Sequence, residues 1–255
     1  METKIYTIEK EQANGIVELH DFSDNESNGL NAATQHTVRV KSVEKITHDV
    51  LRIVTDKPDQ YTFIPGQATK VSINKEGWRG QKRPFTFTCL PDNDFFEFTI
   101  KTYPKKLGVT NELLQLEKND ELLLHDVFGA INYKGEGVFI AGGAGVTPFI
   151  SIFRNLYAEN KLGKNMLIFA NKTRSDIINE EEFTKLLGRN FVNILSDEKV
   201  DGYLYGQITK DLIEAYDGRI KDMFYICGPP PMVTSIDKML EELHIPLRSI
   251  IKEKF

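Results

Sequence analysis

At 255 residues with a formal net charge of −5, the chain exceeds the usual single-domain size, and two domains of roughly 100–130 residues are expected. No apolar run approaches the roughly 20 residues of a membrane span and no signal peptide precedes the first strand, so a soluble, cytoplasmic protein is expected, with no nucleic-acid partner. Two cysteines, Cys89 and Cys227, fall short of a disulfide framework or of the about four thiolates an iron–sulfur cluster needs, and the five histidines lack ligand spacing, so no metal is expected.

Residues 1–35 form an acidic extension, with two lysines against seven carboxylates. Ser23–Asn31 is a polar linker. Ile5, Tyr6, Ile8, Ile16, Val17 and Leu19 suit one or two short strands, and His20-Asp21 reads as a surface turn. From Thr37 the pattern turns to alternation. TVRVKSV, DVLRIVT, QATKVSI after Pro65-Gly66, RPFTFT, FFEFTIKTY and ELLLHDVFG give six short strands, hence a small antiparallel barrel over 36–135. One helical patch, Val109–Leu116, interrupts it, with Thr110 as its cap after Gly108.

After Gly135 strands and helices alternate: strands at 138–141, 166–170, 191–195 and 223–227, helices at 148–159, 180–187, 208–215 and 230–243. That order implies a parallel sheet covered on both faces, an α/β domain over 136–255 joined to the barrel near Asn132–Gly135. Its first strand runs into Gly142, Gly143 and Gly145, then Thr147 at a helix N-cap and Pro148 at the first helical position. Phe149, Ile152, Phe153, Leu156 and Tyr157 carry the helix period. A strand, a glycine turn and a helix N-terminus make an anion cradle suited to a pyrophosphate, or simply a tight turn that needs small residues. Pro148 replaces the third glycine of the ordinary dinucleotide fingerprint, leaving the narrower pattern GGxGxTP.

Two further stretches carry chemistry. Arg83-Pro84-Phe85-Thr86 opens a strand with a cation for phosphate, an aromatic for a planar ring and a hydroxyl for a ring nitrogen; alternating inward aromatics are the plainer reading. The strand Phe224–Cys227 runs into Gly228-Pro229-Pro230-Pro231-Met232, at the end of a parallel strand where ligands bind in open sheets. A thiol there faces the same crevice as Gly143–Thr147.

RPFT, GVT, GGAGVTP and CGPPPM, in this order and at these separations, resemble the ferredoxin–NADP+ reductase superfamily over about residues 36–255. The resemblance implies an FAD-binding barrel followed by an NAD(P)-binding α/β domain. It implies that Arg83 binds flavin phosphate, Phe85 packs on the flavin, Thr86 hydrogen-bonds N5, and Ile100 and Lys101 lie along the isoalloxazine. Gly108, Val109 and Thr110 would hold the FAD pyrophosphate. Gly143, Gly145, Thr147 and Pro148 would take the nicotinamide nucleotide, with Cys227, Gly228 and Pro229 beside the nicotinamide. Glu253-Lys254-Phe255 resembles an ending in which the glutamate sits near the flavin–nicotinamide contact, so Thr86, Cys227 and Glu253 are the implied catalytic residues. Two positions depart from the family: Phe85 stands where tyrosine is usual, and Cys89 where a small hydroxyl or alanine is common.

The activity implied by the resemblance is hydride transfer from NADH or NADPH to FAD, then single electrons to a separate acceptor, a ferredoxin or flavodoxin. Reduction of free flavin or ferric chelates, and a non-catalytic redox sensor or electron-transfer subunit, are the alternatives. Lys70, Lys75, Arg79, Lys82, Arg83, Lys101, Lys105 and Lys106 would form a basic rim for an acidic partner, or simply a solvated surface. For the nucleotide, Lys172 and Arg174 offer cations to a 2′-phosphate, but Asp197 stands where NADPH-using relatives place arginine, which favours NADH with NADPH still usable.

Overall fold

The computed structural model describes residues 35–103, 108–217 and 223–253. The short strands and the turn expected within 1–34, and Lys105, Lys106, Lys254 and Phe255, lie outside the described residues. The first sheet holds β1 (His36–Thr47), β2 (Val50–Asp56), β3 (Ala68–Ile73), β4 (Arg83–Thr86), β5 (Phe95–Lys101) and β6 (Glu121–Phe128), in the order β4-β3-β6-β1-β2-β5. Every pairing is antiparallel. Phe87, just past β4, bridges Phe98 of β5, so the two outer strands meet and the sheet closes into a barrel, removing its open edges.

Aromatic side chains fill this barrel. Phe63 stacks on Phe87 with centroids 4.3 Å apart, and Phe96, Phe98 and Tyr61 pack around them. The Tyr61 hydroxyl would be costly to bury unpaired, and it donates to His125 O at 2.5 Å. The helical patch shrinks to α1 (Val109–Glu112), followed by a 3-10 turn, Leu113–Gln115. Its cap is Gly108, not Thr110, and no side chain caps it.

The second sheet is parallel throughout: β7 (Gly137–Gly142), β8 (Met166–Asn171), β9 (Phe191–Leu195), β10 (Leu204–Tyr205), β11 (Met223–Cys227) and β12 (Ile250–Lys252), ordered β10-β9-β8-β7-β11-β12. α2 (Thr147–Ala158), α3 (Glu180–Leu187), α4 (Lys210–Asp217) and α5 (Pro230–Glu242) cover its two faces. Alternation along β7 divides the layers: Phe139 and Ala141 pack with Phe149 and Phe153 of α2, while Val138 and Ile140 pack with Ile213 of α4 and Ile236 of α5. The chain runs β7-β8-β9-β10 to one side, then returns to β11 on the other. The strand order therefore reverses between β7 and β11, where open α/β sheets leave a crevice.

The structure departs from the sequence pattern at several points. Gly143–Val146 forms a 3-10 turn, so Thr147 is already helical and Val146 takes the cap position. α4 starts at Lys210, because the Thr209 hydroxyl accepts from the Leu212 N–H and caps it. β10 and β12, of two and three residues, are too short to show a period.

The barrel and α2 are locked by contacts that admit no added bulk. Gly66, at φ +96°, donates its N–H to Ser151 Oγ at 2.9 Å, and a Cβ there would lie 2.3 Å from Ile131 O. Arg154 of α2 reaches both sides: Nη1 donates to Thr88 O (2.7 Å) and Glu97 Oε1 (2.6 Å), while Nε and Nη2 hold Glu182 of α3 bidentately at 2.5 and 2.8 Å. Glu97 is 8% exposed, so its charge depends on this partner. Replacement Arg154→Met should lower unfolding stability by about 3 kcal/mol, as expected for a carboxylate left buried and unpaired. Adding Glu97→Gln should recover part of the loss; a urea midpoint unchanged in Arg154→Met would contradict this role for the guanidinium.

Candidate functional site

At the reversal point two turns pack backbone to backbone. A Cβ on Gly145 would lie 2.2 Å from Cys227 O and 2.6 Å from Gly228 Cα. One on Gly142 would meet Met232 Sδ at 2.5 Å, and one on Gly228 would meet Gly142 N at 3.0 Å. These glycines are there for close approach. Gly143 differs: at φ +51° nothing lies within 4 Å of its would-be Cβ, so the left-handed backbone is what it supplies.

No side chain caps the Gly143–Val146 turn or α2, which leaves first-turn N–H groups for an anion. The Thr147 hydroxyl donates to Ala144 O (3.0 Å) and lies 3.4 Å from Thr86 Oγ1 on β4. Two motifs 61 residues apart thus meet across the crevice between barrel and parallel sheet. Pro148 is buried at the start of α2.

Cys227 ends β11 with 4% exposure, and its thiol donates to Glu253 Oε2 at 3.4 Å. Burial pushes the thiol pKa up strongly, and the Glu253 carboxylate beside it adds to the shift, so the sulfur stays protonated. β12 makes this contact possible: by pairing with β11 it carries Glu253 alongside Cys227. Pro229 caps α5 beside Gly142.

On the barrel side Arg83 and Pro84 are exposed, and Phe85 and Thr86 half-buried. One Arg83 N–H (Nη1) is spent on Lys82 O at 2.8 Å. Gly108 has open space where a Cβ would stand, above the uncapped start of α1. Other side chains named from the sequence are committed elsewhere: Ile100 and Val109 are buried in the barrel core. The Lys101 ammonium lies 2.8 Å from Asp49 and 3.7 Å from Asp176. What these residues offer a ligand is therefore backbone. Of the basic rim, Lys75 pairs with Glu112 and Arg79 donates to Asn74, while Lys70, Lys82 and Arg83 remain on the surface.

Sequence spacing did not suggest that His48, Asp49 and Asp176 come together, with ligand atoms within 4.8 Å of one another. Lys101 already supplies the positive charge there. Burial pushes the Asp176 carboxyl up, but hydrogen bonds from Thr173 together with Lys101 and His48 outweigh it and hold the group below its usual range. A second cluster gathers around Arg174, which the sequence offered to a 2′-phosphate; its carboxylates, Glu180 and Glu198, were not foreseen. Past the ends of β8 and β9, Thr173, Arg174, Ser175, Glu180 and Glu198 line an open cleft.

A family described as the oxidoreductase NAD-binding domain matches residues 139–238. The chain is similar to the reductase component of propane 2-monooxygenase from Rhodococcus jostii (strain RHA1), at 29% identity over 94% of this chain and 68% of that protein. Its fold resembles the CS-b5R domains of human Ncb5or in the NAD+ form, with a TM-score of 0.76 and 25% identity over 88% of this chain and 71% of the other. It also matches the fold of a ferredoxin NADP+ reductase from Neisseria gonorrhoeae with bound FAD and NADP, at a TM-score of 0.74 and 19% identity, covering 87% and 98% of the two chains.

Both thiols tie stability to pH. Cys89 is pushed up to about 11, chiefly by burial, and Cys227 is raised as well. A group that holds its proton more tightly when folded stabilises below the unfolded thiol value of about 8.5, and that contribution is lost as pH rises towards the folded value. Stability should therefore fall between about pH 8.5 and 10.5, by at most roughly 1.4 kcal/mol per pH unit for each thiol. Urea midpoints read across that range measure the fall, and Cys89→Ala with Cys227→Ala should flatten it. An unchanged slope in the double variant would remove the thiols as its cause.

Proposed function

We propose that the chain is a reductase of the ferredoxin–NADP+ reductase superfamily, taking a hydride from NAD(P)H onto FAD and passing single electrons to a ferredoxin or flavodoxin. Transfer from NAD(P)H through FAD to a separate acceptor is the part shared with its relatives; the identity of the acceptor is our proposal. We assign residues 36–135 to FAD, 136–255 to the nicotinamide dinucleotide and no role to 1–35, and we place the protein in the cytoplasm. No helix among the described residues is long and apolar enough to cross a membrane.

The contact that carries this reading is the 3.4 Å approach of Thr86 to Thr147, beside the Cys227–Glu253 pair. The donor set fits two phosphate-bearing ligands: an exposed guanidinium at Arg83, uncapped N–H groups at α1, and a second uncapped turn after β7. FAD, when bound, accepts a hydride and releases electrons one at a time. Arg83 and the Gly108–Thr110 backbone would hold its phosphates, Phe85 would pack on it and Thr86 would hydrogen-bond it. With phenylalanine at 85, one hydroxyl contact worth roughly 1 kcal/mol is forgone. Gly143, Gly145, Thr147 and Pro148 would seat the dinucleotide phosphates, against the wall made by Gly228 and Pro229. Cys227 would keep a neutral, dry surface against the nicotinamide, with Glu253 holding the thiol proton by accepting its hydrogen bond. The exposed Lys70, Lys82 and Arg83 would meet an acidic acceptor.

Purified protein should be yellow, release FAD on denaturation and oxidise NADH or NADPH with a dye as acceptor. Arg83→Ala should be folded and largely colourless; full flavin retention would remove Arg83 from the site. Cys227→Ala should slow flavin reduction more than it weakens nucleotide binding, the pattern of an interaction made mainly in the transition state. A stopped-flow rate equal to wild type would take Cys227 off the reaction path.

A further inference from the structure

The open cleft past β8 and β9 lies on the same C-terminal edge of the sheet as the glycine turn after β7, where a dinucleotide seated at Gly143–Thr147 would extend its adenosine half. The one cation among its lining residues, Arg174, already has a carboxylate partner. Arg174 donates from Nε to Glu180 Oε2 at 3.4 Å, and its guanidinium lies over the Tyr203 ring, 5.5 Å from the centroid. Tyr203 in turn donates to Glu180, so the carboxylate is fixed between them. Lys199 lies over the Tyr205 ring at 4.7 Å.

Anionic groups occupy the positions from which a phosphate would be read. The Arg174 N–H, which would suit a phosphate oxygen, donates instead to Glu198 Oε2 at 2.7 Å. The Ser196 hydroxyl donates to Asp197 Oδ1 at 2.6 Å and is likewise taken. The Thr173 hydroxyl donates to Asp176 Oδ2 at 2.7 Å, which leaves the Ser175 hydroxyl, 2.9 Å from it, among carboxylates that accept hydrogen bonds. Carboxylates and hydroxyls suit the diol of a ribose and repel a dianion. Asn171, which ends β8, adds a further observation: it is buried, and neither of its side-chain amide atoms has a hydrogen-bond partner among the described residues. A buried amide left unpaired is costly, and a polar ligand at this edge would supply its partner.

We infer that this end of the site selects an unphosphorylated adenosine ribose, with Glu180 and Glu198 as the residues that reject a 2′-phosphate, so that NADH is the working reductant. The inference rests on the reductase reading above. Glu180 acts by holding Arg174 away from a ligand; Glu198 acts by occupying the Arg174 N–H and by charge.

The test compares wild type with Glu180→Gln/Glu198→Gln in the flavin-loaded protein. One measurement is kcat/KM for NADH and NADPH with a dye acceptor; the other is calorimetric binding of 5′-ADP and 2′,5′-ADP, which needs no turnover. Wild type should favour NADH by at least about tenfold. The double variant should gain about tenfold or more in kcat/KM for NADPH and bind 2′,5′-ADP more tightly, and adding Arg174→Ala should cut both gains back, because it removes the guanidinium that Glu180 releases while the backbone N–H at 174 stays. A gain of activity that depends on a third residue is not what misfolding produces. A wild-type preference for NADPH, or no gain in the double variant, overturns the assignment of Glu180 and Glu198. A protein that oxidises neither nucleotide sinks the reductase reading itself.

Discussion

The crevice depends on a contact without side chains. Where β7 and β11 end, Gly145 lies so close to the Cys227–Gly228 turn that a single methyl group on it would collide with main-chain atoms. Side chains cannot mediate that approach, so it fixes how near the two halves of the crevice come. Everything placed at the site inherits this spacing: the uncapped start of α2, the thiol of Cys227 and, through β12, the carboxylate of Glu253. The glycines therefore serve separate physical ends: backbone conformation at Gly143, backbone proximity at Gly145 and Gly228, and room for the Met232 side chain at Gly142.

Much of this was legible in the residues. The apolar run Val138–Ala141, the glycine turn and the helical period of Phe149–Leu156 are local signals, and local signals survive folding. The six barrel strands were visible because each alternates, and the four long parallel strands because each is an apolar run bounded by turns. Thr147 misled for a physical reason: the turn before it tightens into a 3-10 helix, and its hydroxyl turns back to Ala144 instead of capping α2. β10 and β12 escaped because two or three residues carry no period, yet β12 delivers Glu253.

Long-range pairings account for the rest. Arg154 sits on a helix whose period suggests only an amphipathic face, and nothing local reveals partners 57 and 28 residues away. Likewise Lys101, which the family resemblance implied as a flavin contact, lies in a basic stretch, but folding places its ammonium between Asp49 and Asp176. Charge in sequence does not say which charges will be neutralised in space.

The barrel's closing seam has a consequence for how the chain is made. That seam joins Phe87 to Phe98, and beside it Thr88 and Glu97 pair through backbone and side chain. The guanidinium that grips both comes from α2, 57 residues downstream of Glu97. During synthesis the barrel strands leave the ribosome first, at about 5–20 residues per second, so for several seconds Glu97 has no cation to meet. A nascent barrel must either stay open at that edge or keep the carboxylate in contact with water. The partner that completes this seam arrives with the second half of the chain, on the helix whose Ser151 also holds the barrel at Gly66.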